Sequence, residues 1–342
     1  MFDLTSNPRT VSEFDFPITG TPAQQLQFLL NYAVLAPSEY NTQPWLFKVK
    51  GRTAELYADR SRRLPIVDPD DRELTISCGA AFLNLRIALR HFGYTYKAEI
   101  HPDQDSSDLL ARISLGKKKV ATEEEHQLFY EIVQRRSNRH IFDKREVPAD
   151  LLALLNDMAG QEGTWFHVVQ GEEARQTLVD LVANGDRMQW TSRQFRKELA
   201  QWTRPEGIES HDGLPGFTQV KGSFAASISP YIVRTFDMGN GVAARDRQLI
   251  AGSPVLAVLG TFEDARTDWF ATGQAVEKIL LRASAEGVSG SFLNQPIEIF
   301  ALRAKMREVL GQFGFPQLVL RLGYGPQVPP TPRRSVKEVL VE

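Results

Sequence analysis

The chain has 342 residues, 42% hydrophobic and 24% charged, with 40 Lys and Arg against 42 Asp and Glu. That length predicts two domain-sized units with apolar material for a sizeable core, and the composition excludes a disordered chain. A net charge of -2 excludes a general basic footprint for nucleic acid, and the single cysteine, Cys78, excludes an internal disulfide framework and a thiolate-rich zinc site.

Met1 to Thr10 is polar and lacks an apolar segment suited to a signal peptide. No run of about 18 apolar residues reads as a membrane span. The expectation is a soluble cytoplasmic protein with neither membrane nor nucleic acid as partner. Pro22 to Leu35 reads as a helix, capped by Thr21 with Pro22 at its first position. A polar turn, Ala36 to Pro44, then leads into a strand that opens at Trp45. Residues 78–94 form a helix with Gly79 near its start and Gly93 at its end, followed by a strand over Tyr96 to Ile100. Glu123 to Gln134 and Pro148 to Met158 are further helices, and Trp165 leads the next strand. Residues 185–245 are rich in tryptophan and polar turns. They include Trp190, Trp202, Arg204-Pro205-Glu206-Gly207 and His211 to Phe217. Pro254 to Gly260 reads as a buried strand, 272–288 as a helix, and Gly290 to Leu293 and Pro316 to Gly323 as strands. A proline-rich tail carries Arg333 and Arg334. Helices and strands mix without regular βαβ alternation, so the predicted class is α+β.

Two pairs of segments repeat in the same order. LLNYAVLAPSEYNTQPWLFKV from Leu29 and LLNDMAGQEGTWFHVV from Leu154 each run from an apolar helix end through a turn to a Trp-led strand. Leu29 and Leu154 are 125 residues apart, Trp45 and Trp165 120 apart. Residues 78–94 and 272–288 form the second pair, at a spacing of 194. An internal duplication follows, with about 74 extra residues in the second copy, a figure read from aligned motifs. Residues 185–245 supply most of that insertion. A lid over a site and an arm bracing the two halves both fit it.

Three segments offer chemistry. Arg135-Arg136-Ser137-Asn138-Arg139 follows a helix, whose C-terminal end is negative. An anion there needs side-chain charge, which forked guanidiniums and a hydroxyl supply; a solvated basic helix end is the plainer reading. Pro37-Ser38-Glu39-Tyr40-Asn41-Thr42-Gln43-Pro44 combines rigid prolines with neutral donors and acceptors suited to a planar heterocycle, or self-caps a connection. The tail from Arg321 either delivers Arg333 and Arg334 to an anion or frays. No Rossmann, P-loop, HExxH or GxSxG pattern appears. Cys78, near a predicted helix start, is either acidified there or a buried structural residue.

These motifs in this order resemble the nitroreductase family of flavin proteins. Arg135 to Arg139 is similar to its RRSxR segment, and Pro37 to Trp45 to its PSSxNxQPW segment. Gly287 to Pro296 (GVSGSFLNQP) is similar to its late glycine segment, and Arg321 to Arg334 to its GYG…PR tail. Asp212 to Gly216 within the insertion resembles the Acg-type branch, in which one chain holds two nitroreductase-like halves. The resemblance implies an α+β nitroreductase-like fold in two tandem halves packed as an intrachain pseudo-dimer. The halves would be residues 1–120 and 121–342, with an insertion or lid at about 185–245, and the chain would be a monomer. It implies FMN as cofactor, NADH or NADPH as electron donor, and a nitroaromatic, quinone or similar small molecule as acceptor. Arg135, Arg136 and Ser137 would hold the FMN phosphate with Arg333 or Arg334, and Arg139 would approach the pyrimidine edge. Ser38, Asn41 and Gln43 would contact the flavin from the other half, and Arg245 and Gln248 its ribityl or pyrimidine region. Asn294, Gln295 and Pro296 would lie near N5. The flavin would carry the chemistry, with no protein nucleophile and no metal. Glu39 replaces the second serine of the family turn. It either stands near the flavin, where its charge would lower the potential, or points to solvent. The alternatives are a flavin-sequestering protein with a lid-covered cofactor, and a fold member without flavin.

Overall fold

Thr21 starts the first long helix through a reciprocal cap. Its hydroxyl accepts the Gln24 N–H at 3.3 Å, and the Gln24 side chain accepts the Thr21 N–H at 2.8 Å. This helix, α1 (Pro22–Ala33), ends before Leu35, because Leu35 and Ala36 turn off in i→i+3 bonds ahead of Pro37. The structure is a computed structural model and describes residues 3–102, 108–205, 210–215, 230–311 and 314–342.

Strands β1 (Trp45–Lys50) and β2 (Thr53–Ala58) are joined by Gly51-Arg52, with Gly51 at φ 57. Then come α2 (Arg72–His91), β3 (Tyr94–Ile100), β4 (Leu109–Lys118), α3 (Glu123–Gln134), α4 (Ala149–Gln161) and β5 (Trp165–Val168). The next stretch holds α5 (Glu172–Thr191), α6 (Arg193–Trp202), β6 (Thr203–Arg204), β7 (Leu214–Pro215), α7 (Pro230–Thr235) and α8 (Gly239–Ala251). The chain continues through β8 (Val255–Thr261), α9 (Arg266–Ala285), β9 (Ser289–Phe292), α10 (Gln295–Glu298), α11 (Phe300–Leu310) and β10 (Phe315–Gly323). It closes with α12 (Val336–Val339) and β11 (Leu340–Val341).

Among the described residues, one sheet has the order β11-β1-β2-β4-β3 and another β5-β8-β10-β9, while β6 and β7 pair separately. Apart from β11, both larger sheets run first, second, fourth, third in chain order with antiparallel neighbours. In each, a long helix (α2 or α9) joins the second strand to the third. They differ in the link between their first two strands: Gly51-Arg52 in one, residues 169–254 in the other. Residues 185–245 lie inside this longer connection, the extra segment of the second sheet, in which α5 leaves β5 almost directly and α8 leads straight into β8. Glu206, Gly207, Gly216 and Phe217 of the sequence motifs lie outside the described residues.

Helices α2 and α9 pack along each other. A Cβ on Gly79 would stand 2.2 Å from the Phe270 carbonyl oxygen, and one on Gly273 1.9 Å from that of Ile76. Both glycines lie inside their helices, not near the start. Their role is close backbone approach. Cys78 is likewise interior and buried. Its Sγ donates to the Pro44 carbonyl at 3.2 Å, and burial pushes the thiol pKa up, so it is not an acidified thiol.

Phe28, Trp45, Phe47 and Phe82 centre the core on the first sheet, which also takes in Phe270 and Leu281 of α9. Strand β8 is buried throughout. One face (Ala257, Leu259) packs on α4 and α9, the other (Leu256, Val258) on Leu181 and Val182 of α5. A separate cluster joins Trp190, Phe195 and Val233 of the extra segment to Leu64 and Val67. The tail then returns to the first sheet, where Leu340 pairs in parallel with Phe47. Among the described residues no helix is long and apolar enough to cross a membrane.

Candidate functional site

A cavity of about 560 Å³ lies among the 36–41 turn, α2, the 135–140 loop, the extra segment, β9, α10 and the tail. Its size is that of a cofactor or small-molecule site. It brings together Ser38, Asn41, Arg135, Arg136, Ser137, Arg139, Arg245, Asn294, Gln295 and Arg333.

One end is basic. Arg135 closes α3, its N–H bonding to the Glu131 carbonyl at 2.8 Å. Its Nε lies 3.3 Å from the carboxylate of Glu277, a fully buried residue of α9. Burial raises the Glu277 pKa, and Arg135 opposes that shift. Arg136 covers the helix end, donating to the carbonyls of Val133 at 2.6 Å and Arg135 at 2.8 Å. Arg333 reaches from the tail to the carbonyls of Leu35 (3.2 Å) and Ala36 (3.1 Å) and to Asn41 Oδ1 (2.9 Å). Burial, then the charge of Arg9, depresses the Arg333 pKa. Several donors here are buried without a hydrogen bond: Nη1 of Arg135, Nε of Arg9 and Arg333, and Nε of Arg135, whose one partner is the Glu277 carboxylate in an ion pair. A group of guanidiniums with orphaned donors fits a phosphate dianion.

The polar turn is built with unusual backbone. Tyr40, Asn41 and Gln43 stand at φ 48, 55 and 51. Such non-glycine residues persist only when surroundings hold them. The Ser38 hydroxyl accepts the Gln43 N–H at 2.9 Å. Asn41 Nδ2 donates to the carbonyls of Gly213 and Pro332, both at 3.1 Å. Gln43 lies outside the cavity. Its amide donates to the His211 carbonyl at 2.7 Å and accepts the Arg334 N–H at 2.8 Å, so it fastens insertion and tail to the turn. Arg334 is outside as well, donating to the Gln43 carbonyl at 3.1 Å and to Glu338 at 2.6 Å. Pro296 is buried beyond the lining and Gln248 is exposed on the outer face of α8. Asn138 anchors the loop: its N–H bonds to the Gly290 carbonyl at 2.9 Å and its side chain to that of Pro326 at 2.9 Å.

The other end is acidic, and sequence reasoning missed most of it. Carboxylate oxygens of Glu39, Glu73 and Glu298 lie within 4.8 Å of one another. Burial, then Glu39, pushes the Glu298 pKa up to about 8. Burial, then Glu298, raises that of Glu73 well above its ordinary value. Glu39 lines the cavity instead of pointing to solvent, its pKa raised by burial and restrained by Arg139. Asp186 and Asp246, from α5 and α8, share the Gln295 amide at 3.1 and 3.0 Å. Burial, then Asp246, pushes Asp186 up to about 8. Arg321, wholly buried in β10, braces the 138–140 loop by donating to the carbonyls of Asn138 (2.8 Å) and His140 (2.9 Å). Trp190, Phe195 and Leu199 of the extra segment supply an apolar wall.

The chain is 31% identical over 325 residues to a Mycobacterium tuberculosis protein named as an NAD(P)H nitroreductase (Rv3131), with 93% of this chain and 91% of the relative covered. It therefore belongs to the NAD(P)H nitroreductase family. It is 28% identical over 332 residues to Acg of the same organism (94% and 97% covered), also named as an NAD(P)H nitroreductase. It is 24% identical over 343 residues to PigM of a Serratia species (94% and 95% covered), which carries the same family name. Among solved structures, the FMN-dependent nitroreductase NfnB of Mycobacterium smegmatis in complex with NADPH matches at TM-score 0.40 and 18% identity, covering 62% of this chain and 96% of that one. No family model matches the chain.

Proposed function

We propose that this chain is an FMN-dependent oxidoreductase that takes hydride from NADH or NADPH and reduces a small acceptor such as a nitroaromatic or quinone. The observation that carries this is the cavity's basic end, where Arg135, Arg136 and Arg333 converge with orphaned donors suited to a phosphate. FMN, when bound, supplies the hydride and electron chemistry. Arg135, Arg136, Ser137 and Arg333 would hold its phosphate. Arg139, whose charge is countered by Glu39 in the same cavity, would face the charge that grows on the flavin's pyrimidine edge. Ser38, Asn41, Asn294 and Gln295 would orient the ring system, with Arg245 beside its ribityl or pyrimidine part, while Trp190 and Phe195 exclude water.

The chain would be a tandem pseudo-dimer of the Acg type acting as a monomer, with halves at 1–120 and 121–342. The shared strand order of the two sheets, the reciprocal contact of Gly79 and Gly273 and the tail strand on the first sheet support this reading. Residues 169–254 then act as a lid. The apolar wall they add also favours a second reading, an FMN-sequestering protein with little turnover.

Anaerobic single-turnover spectroscopy separates these. The purified chain is expected to show flavin absorbance that NADH or NADPH bleaches. Flavin that stays oxidised with both donors would support sequestration, and a colourless chain that takes up no added FMN would overturn both readings.

A further inference from the structure

Arg9 enters the same cavity as Arg135, Arg136 and Arg333 from the opposite end of the sequence. Its Nη1 donates to the Val133 carbonyl at 3.1 Å, the oxygen that also accepts from Arg136 at 2.6 Å. Two guanidiniums thus crowd one carbonyl at the end of α3. Arg9 Nε is buried with no hydrogen-bond partner, as are Nη1 of Arg135 and Nε of Arg333. The carboxylate facing this group is that of Glu277, 3.3 Å from Arg135. Burial, then Arg136 and Arg135, lowers the Arg9 pKa to about 9. Like charges held this close in a poorly solvated place repel unless an anion joins them.

The segment that carries Arg9 is anchored. Asn7 Oδ1 accepts the Arg9 N–H at 3.0 Å and starts a short 3-10 turn over Pro8–Thr10. Pro8 is buried, Leu4 and Val11 pack on the first core, and the Lys337 N–H bonds to the Leu4 carbonyl at 3.0 Å. Arg9 is therefore presented by a segment pinned on both sides, one side being the terminal helix just after Arg333.

We infer that Arg9 is a fourth phosphate-binding guanidinium, and that the N-terminal segment closes the basic end of the cavity around a phosphate monoester dianion. The flavin reading identifies that dianion as the FMN phosphate. Neither the RRSxR-like segment nor the tail contains this residue. Arg9 selects for the phosphate and makes no contribution to binding the ring system.

The test uses the full chain, stripped of flavin, as wild type, Arg9→Gln and Arg9→Lys. Each is titrated with FMN and with riboflavin, which lacks the phosphate. Loss of one charge-assisted phosphate contact predicts an FMN Kd about 10- to 100-fold higher in Arg9→Gln, riboflavin Kd within about twofold of wild type, and an intermediate FMN Kd in Arg9→Lys. An unchanged FMN Kd, or equal weakening of FMN and riboflavin, would overturn the inference, the second outcome marking a purely structural residue. If the wild type binds neither compound, the flavin reading fails and inorganic phosphate becomes the probe. A rise in thermal midpoint with phosphate in wild type but not in Arg9→Gln supports the dianion site. The same response in both, or none, overturns it.

Discussion

Asp186 and Glu298 are acids placed where their charged forms are costly. Both pKa values stand at about 8 because burial removes water, with Asp246 and Glu39 adding like charge. The sign of the consequence follows from proton counting. Between the ordinary carboxylate range and pH 8 the unfolded chain holds fewer protons than the folded one. Stability is then full below the unfolded pKa and falls until pH passes the folded value. The thermal midpoint is expected to drop from pH 5 to pH 8. Asp186→Asn, which keeps an acceptor for Gln295, should flatten that slope and stabilise the chain at pH 8 by at least about 1 kcal/mol. A thermal profile parallel to wild type would count against buried neutral Asp186. At this scale the sequence was legible where one short segment supplies several cavity-lining groups, as Arg135-Arg136-Ser137 does. Glu73, Glu298 and Asp186 were not, because an isolated carboxylate reads as surface until a distant element buries it. Gln43 and Arg334 show the opposite case: they lie within the two motifs but outside the cavity lining, because their polar groups satisfy each other.

Helices α2 and α9 show what an element can conceal. Their interior glycines permit a backbone approach that any Cβ would block. Gly79→Ala or Gly273→Ala gains helix propensity, yet the forced separation should dominate, with a net loss of about 1–3 kcal/mol. Urea unfolding checks this, and an unchanged or higher midpoint would refute the close crossing. The helix beginnings escaped sequence reading because Arg72-Glu73 and Arg266 to Asp268 interrupt the apolar pattern. Arg72 is buried only through Gln317, whose carbonyl it meets at 2.5 Å, and through Glu73 at 2.8 Å. Capped helices and wholly apolar strands were legible to within a few residues. Thr122 and Glu125 cap α3 within their own turn, at 3.2 and 2.8 Å, so no distant partner was needed.

For the whole molecule, the question is how many cofactors one chain holds. The basic residues and the polar turn meet once in the described residues, at the cavity between α2, the 135–140 loop and the tail. The turn that leads into β5, Ala159 to Thr164, has no proline and a single amide, Gln161, where the turn before β1 has two prolines and the amides of Asn41 and Gln43. One FMN per chain is therefore expected, measured as flavin absorbance against protein concentration after denaturation. Two per chain would show that a second site exists outside this cavity.

The sequence alone determined the α+β class and the family, and it placed adjacent guanidiniums at 135–136 in one segment, because each is written in local pattern: cap residues, strand-length apolar runs and neighbouring charges. Tertiary structure decided which motif residues face the cavity, that the extra segment walls it, and that Arg9, Glu73, Glu298 and Asp186 belong to it. Those properties depend on burial and on charges brought together from distant parts of the chain. Spacing along the sequence carries no record of either.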